Sequence, residues 1–162
     1  MARRGTTPSA AACLLTEQVL RRIFEHARRD YPLECCGMVL ADGAVRECRN
    51  AQDEFHAADP EAFPRTAANG YCFDFTDQLF LARSQEGAAP VRIVYHSHPD
   101  ASPAFSSADK SAAMSGEFPI YPGLAYLIVS CAAGLPGVAV LYEFAGGDWS
   151  EAGRYACPST NL

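Results

Sequence analysis

The chain has 162 residues, the length of one compact domain. Hydrophobic residues make up 49% and charged residues 20%, a globular mix that excludes a disordered, collagen-like or coiled-coil chain. The net charge of −6 argues against a non-specific nucleic-acid binder, and no apolar run reaches the roughly 18 residues of a membrane helix.

The opening MARRGTTPSAAACLLTE has an arginine pair and only a short apolar stretch, Ala10 to Leu15. A signal peptide needs a longer one and a cleavage site, so a cytoplasmic protein with a flexible arm over 1–13 is expected. Thr16 is a fitting N-cap. Leu20, Ile23, Phe24 and Ala27 then recur at i, i+3, i+4 and i+7, with Arg21, Arg22, Glu25 and Arg28 between them. This spacing predicts an amphipathic helix from about Thr16 to Arg29, ended before Pro32. His26 on that helix reads as solvated.

Cys36 to Ala41 and Val45 to Arg49 flank Asp42-Gly43, a hairpin signal. Asn50 to Gly70 has two prolines and no clear period, and reads as a long loop. His56 within it reads as a surface residue. Tyr71 to Phe75 reads as a strand and Thr76 to Ser84 as a second helix. After a break at Gly87 to Pro90, Val91 to Tyr95 predicts a buried strand running into His96-Ser97-His98-Pro99. Ser106 to Met114 predicts a third helix, opened by the capping pattern Ser106-x-x-Asp109. Gly116 to Gly123 is a loop. Leu124 to Cys131 and Val138 to Phe144 are apolar strands, and Trp149 to Cys157 adds an edge strand before a short tail over 158–162. The order predicts an α/β fold, a mixed sheet with helices packed on it.

The seven cysteines are odd in number and irregular in spacing, and no C-x-x-C occurs. They read as reduced thiols, mostly buried in strands.

The chemistry lies in HSHPDASPAFSSAD, residues 96–109. His96 and His98 are two apart at a strand end, so both imidazoles point to one face and can converge on one ion. Asp109 lies in the first turn of the next helix, where a carboxylate is electrostatically favoured. Two imidazoles and a carboxylate suit zinc, and three protein ligands leave a fourth position for water. Asp109 has a competing role as the capping acid of its helix. Glu34, in YPLECCG, is the best base for such a site, though by itself it also reads as a solvated turn residue. Cys35 and Cys36 read as core thiols, and Asp100 as a turn residue beside Pro99.

His96-x-His98-Pro99, six residues, Ser106, two residues, Asp109 resembles the metal motif of the JAMM (MPN-plus) zinc metalloprotease family. Glu34 in Pro32-x-Glu34-Cys35-Cys36-Gly37 is similar to that family's upstream glutamate motif. The resemblance spans roughly Leu14 to Phe144 and is greatest to the small bacterial branch acting on ubiquitin-like and sulfur-carrier proteins. Asn50 to Gly70 matches poorly.

The resemblance implies a single metallopeptidase domain over 14–157, with a central mixed, curved, cytidine-deaminase-like sheet flanked by helices. It implies one zinc per chain on His96, His98 and Asp109. Glu34 would serve as the base, and Ser106 would donate to the developing oxyanion. The implied substrate is the Gly-Gly tail of a ubiquitin-like or sulfur-carrier protein, from which a cysteine, short peptide or conjugate is removed. A non-catalytic MPN-type interaction module and a metal-dependent amidase on a small amide are the alternatives.

Overall fold

In a computed structural model, which describes residues 7–158, the chain begins with two capped helices. The Ser9 hydroxyl accepts from Ala12 N at the start of α1 (Ala10–Leu14). The Thr16 hydroxyl accepts from Val19 N at the start of α2 (Glu17–Asp30). Each cap satisfies a backbone donor that the first turn leaves unpaired. Of the expected N-terminal arm and C-terminal tail, residues 1–6 and 159–162 lie outside the described residues. Residues 10–14 are helical, and Ala11 packs into the core.

A six-stranded sheet follows, in the order β2-β1-β3-β6-β7-β8. It is made of β1 (Cys36–Leu40), β2 (Val45–Cys48), β3 (Val91–Pro99), β6 (Ala125–Ala132), β7 (Leu135–Ala145) and β8 (Asp148–Ala156). β1 and β2 form the predicted hairpin, with Gly43 at φ 83° in its turn. β3 runs antiparallel to β1 and parallel to β6, so the sheet is mixed. The remaining pairs are antiparallel, and β8 forms the outer edge as predicted.

The sheet separates two cores. Val19, Leu20, Ile23, Phe24 and Ala27 of α2 pack on one face, against Val39, Ile93, Tyr95 and Leu127. Fully burying an aliphatic or Phe side chain is worth about 1.5–3 kcal/mol, so this stripe secures α2. The other face carries Met38, Val94 and Ile128, covered by Phe73, Leu81, Phe105 and Ala113. These come from α4 (Phe75–Ser84), α5 (Ser107–Ala113) and the segments before them. Phe105, Tyr126, Phe144 and the buried Trp149 close its far end with edge-to-face contacts.

Four expectations need correction. Residues 50–70 are not simply a loop, because they contain α3 (Gln52–Ala58). Residues 71–75 make only an isolated bridge, Asn50 to Phe73, and α4 starts at Phe75 behind the Asp74 cap. His26 is not solvated. It is 2% exposed and held between the Tyr95 hydroxyl (2.8 Å) and Asp30 (3.0 Å). The predicted loop at 116–123 also holds half of a small hairpin, β4 (Met114–Ser115) with β5 (Phe118–Pro119). Among the described residues, no helix is long and apolar enough to cross a membrane.

Candidate metal centre

β3 lies inside the sheet, between β1 and β6, and its C-terminal end carries both histidines. Alternation turns Ile93, Tyr95 and Ser97 toward α2, and Val94, His96 and His98 toward the opposite face. The Ser97 hydroxyl accepts from Cys35 N at 2.9 Å, which ties the end of β3 to the start of β1. Asp109 arrives on that opposite face from α5. The three ligand atoms of His96, His98 and Asp109 all lie within 4.8 Å of one another.

The donor set fits a metal ion. His98 Nδ1 stands 2.9 Å from the Ser102 carbonyl, so it carries the proton and Nε2 presents its lone pair inward. His96 Nε2 lies 3.0 Å from His98 Nε2 and 3.4 Å from Asp109 Oδ1. Two imidazole nitrogens and a carboxylate oxygen so close together form a donor set that a single cation could occupy. Two imidazoles and one carboxylate suit zinc among the common ions. Such a three-residue set matches catalytic sites, which keep a position open.

The two roles read for Asp109 do not compete. Its Oδ2 accepts from Ser106 N (3.0 Å) and the Ser106 hydroxyl (2.5 Å), while Asp109 N donates to Ser106 Oγ (3.1 Å). This is a capping box at the start of α5. Oδ1 stays turned toward His96. Oδ2 caps the helix and also lies 3.4 Å from His98 Nε2, so both carboxylate oxygens face the centre.

Without an ion, the charges are strongly biased. Burial opposes ionisation of Asp109, but hydrogen bonds with His96, His98 and Ser106 hold its carboxyl far below the ordinary range. Burial pulls His96 down, against the pull of Asp109. Burial works the same way on His98, but Asp109, the Ser102 carbonyl and Glu34 raise it overall.

Glu34 comes to the same place. β1 and β3 pair Cys36 with His96, and Ser97 N donates to the Cys35 carbonyl at 3.1 Å. Glu34, the residue before Cys35 and just outside β1, is thereby brought near His98, whose charge acts on its carboxyl. Glu34 is 5% exposed. Burial pushes its carboxyl up to about 7, with His98 and Arg65 pulling down and Asp109 pushing up. The solvated-turn alternative is therefore wrong. Its backbone is fixed on both sides: Glu34 N donates to the Ala67 carbonyl (2.7 Å), and Asn50 Nδ2 donates to the Glu34 carbonyl (3.0 Å).

The neighbouring thiols are inert. Burial pushes Cys35 up to about 12 and raises Cys36 as well, so neither is a thiolate near neutral pH. Asp100 is a turn residue, at φ 55°, accepting from Ala133 N and the Tyr31 hydroxyl (both 2.8 Å). His56 bonds the Phe63 carbonyl, away from the centre.

Two participants escaped the sequence reading. Tyr71 stacks on His96, ring centroids 4.4 Å apart and planes 27° from parallel. Asn50 donates to the carbonyls of Glu34 and Gly70 and accepts from Gln52 N and Cys72 N. An Asn at the start of an irregular stretch was the one visible signal for it, since such residues often bond nearby backbone.

Residues 16–140 match the family model Prok-JAB, the prokaryotic homologs of the JAB domain. The chain belongs to that family. The match includes Glu34, His96, His98, Ser106 and Asp109. Among the proteins this Prok-JAB chain resembles is the desampylase of Haloferax volcanii, 29% identical over 136 residues, which are 83% of this chain and 86% of that one. Two solution structures share the fold. A Desulfitobacterium hafniense protein gives a TM-score of 0.56 at 22% identity, over 84% of this chain and 86% of its own. A Salinibacter ruber protein gives 0.51 at 24% identity, over 90% and 92%.

Proposed function

We propose that this chain is a zinc-dependent peptidase or isopeptidase. It cleaves the amide bond after the C-terminal Gly-Gly tail of a ubiquitin-like or sulfur-carrier protein. The observation that carries this reading is the convergence of His96, His98 and Asp109 beside a buried glutamate with no structural partner for its carboxyl among the described residues. The likeness to a desampylase supports the substrate class.

Zinc held by His96, His98 and Asp109 supplies Lewis-acid polarisation of a carbonyl and a more acidic water. The chain's own residues do the rest. Glu34 takes a proton from the attacking water and returns it to the amine as the amide C–N bond breaks. Burial raises its carboxyl, and a carboxyl raised toward neutrality suits both halves of that task. Ser106 has a single hydroxyl proton, given to Asp109 Oδ2 in this structure. To steady the developing oxyanion it turns that proton to the substrate, while Asp109 N keeps its oxygen in place. We place the protein in the cytoplasm, in keeping with its free buried thiols.

The test uses zinc-loaded protein and a panel of ubiquitin-fold carriers extended beyond Gly-Gly by an amino acid, a peptide or an isopeptide. Cleavage after Gly-Gly, lost in Glu34→Gln while zinc is retained, is expected. Full turnover by Glu34→Gln overturns the mechanism. Zinc binding without cleavage of any member favours an interaction module. Equal cleavage of a free Gly-Gly-Cys peptide favours a small-amide hydrolase.

A further inference from the structure

Arg65 is a basic residue beside this centre that neither the metal motif nor the mechanism uses. Its segment borders Glu34 directly, because the carbonyl of Ala67, two residues on, accepts from Glu34 N at 2.7 Å. The Arg65 carbonyl is pinned by Gln52 Nε2 at 2.8 Å. Its side chain lies back over Gly70: a Cβ there would stand 3.2 Å from Arg65 Cβ and Nε and 3.4 Å from Cζ. The next residue is Tyr71, whose ring stacks on His96. Arg65 is thereby held at the corner between the base and a metal ligand, and its charge acts on both.

The guanidinium is poorly used within the protein. Its side-chain bond goes to the Asn69 carbonyl at a long 3.4 Å, and it makes no salt bridge among the described residues. A half-exposed guanidinium with most of its donors free is a ready-made carboxylate receptor. Its position sets the side. Glu34 protonates the departing amine, so a group next to Glu34 faces the leaving group rather than the carrier's tail.

The geometry points to Arg65 as a specificity-determining residue that binds a carboxylate on the leaving group. Such a carboxylate belongs either to a terminal amino acid released by hydrolysis or to an acidic side chain next to the scissile bond. This assignment rests on the proposed hydrolase reading for its orientation.

The test compares three carriers: one ending Gly-Gly-Ala, one ending Gly-Gly-alaninamide, and one ending Gly-Gly-Glu-amide. Zinc-loaded protein is assayed for kcat/KM. Zinc-loaded Glu34→Gln protein is assayed for binding fluorescein-labelled tail peptides of the same three kinds. Preference for a carboxylate over the plain amide by about tenfold or more is expected in both assays. Preference for the first carrier identifies a free α-carboxylate, and preference for the third an acidic side chain. Arg65→Ala removes the preference, and Arg65→Lys restores part of it. Gly70→Ala, which presses on the guanidinium, weakens it with the charge kept. If Arg65 served only to adjust Glu34, Arg65→Ala would slow acid and amide alike and shift the pH profile, which overturns the assignment. Equal binding of all three peptides, or none, also overturns it. Selective binding without hydrolysis of any carrier keeps Arg65 as a carboxylate receptor and refutes the hydrolase reading, and with it the leaving-group side of the assignment.

Discussion

Glu34 stands two residues before Cys36, the first residue of β1, and His98 two residues beyond Cys36's partner His96 on β3, which brings the two side by side. That pairing places a carboxyl and a metal-type imidazole on the same face of the sheet. Two stretches 64 positions apart in the chain are thus joined by backbone hydrogen bonds rather than by a flexible loop. Rigid placement of this kind is what a proton-transfer site needs.

The buried Glu34 carries a stability cost that depends on pH. Its carboxyl stays neutral in the folded protein up to about 7, against an ordinary 4.5. The unfolded chain therefore loses its proton first as pH rises. Metal-free protein should lose stability between pH 4.5 and 7 and feel the full cost above 7, about 3 kcal/mol at most. Glu34→Gln removes that cost. Urea unfolding of metal-free protein should show the variant more stable than wild type at pH 8 and similar at pH 4. Equal stability at pH 8 would show that Glu34 is not held in a dry site.

Ser106→Ala separates two roles. Loss of the capping box should cost about 1 kcal/mol, measured by denaturant unfolding. Loss of an oxyanion donor should also lower kcat by about 100-fold or more. An unchanged kcat alongside the stability loss would confine Ser106 to capping α5.

His96 is oriented by packing, since its buried Nδ1 has no hydrogen-bond partner. Tyr71 supplies that packing. Tyr71→Ala should weaken zinc affinity by about tenfold or more, the usual effect of losing a group that orients a ligand. Tyr71→Phe keeps the ring and should bind zinc as wild type does. Competition with a chromogenic chelator measures both, and a defect in the Phe variant would move the effect to the hydroxyl.

Gly37 permits a close approach of strand and ring. A Cβ there would fall 2.3 Å from the Tyr95 ring and hydroxyl. Tyr95 is fully buried and bonded to His26, so it has nowhere to move. Gly37→Ala should destabilise the fold by about 1–3 kcal/mol through overpacking, seen as a lowered Tm. A wild-type Tm would show that the ring can shift.

What was legible from sequence was what local pattern encodes. The apolar stripe of α2, the Asp42-Gly43 turn and the His96-x-His98 spacing each act within a few residues. What was missed depends on distant partners. His26 carries no local sign of Tyr95, 69 positions away. The apolar stretch around Tyr71 predicts a strand, yet it is held by the Asn50 side chain and makes a single bridge among the described residues. α3 went unseen because it has seven residues and no capping side chain at Ala51. Glu34 is ambiguous by itself, and its burial beside the end of β3 decides it.

The central claim is that His96, His98 and Asp109 hold a catalytic zinc. Elemental analysis of the purified protein, wild type beside His98→Ala, tests it most directly. The account predicts about one zinc per wild-type chain and almost none in the variant. A wild-type protein that takes up no zinc even when zinc is supplied, or a variant that keeps its zinc, would contradict it.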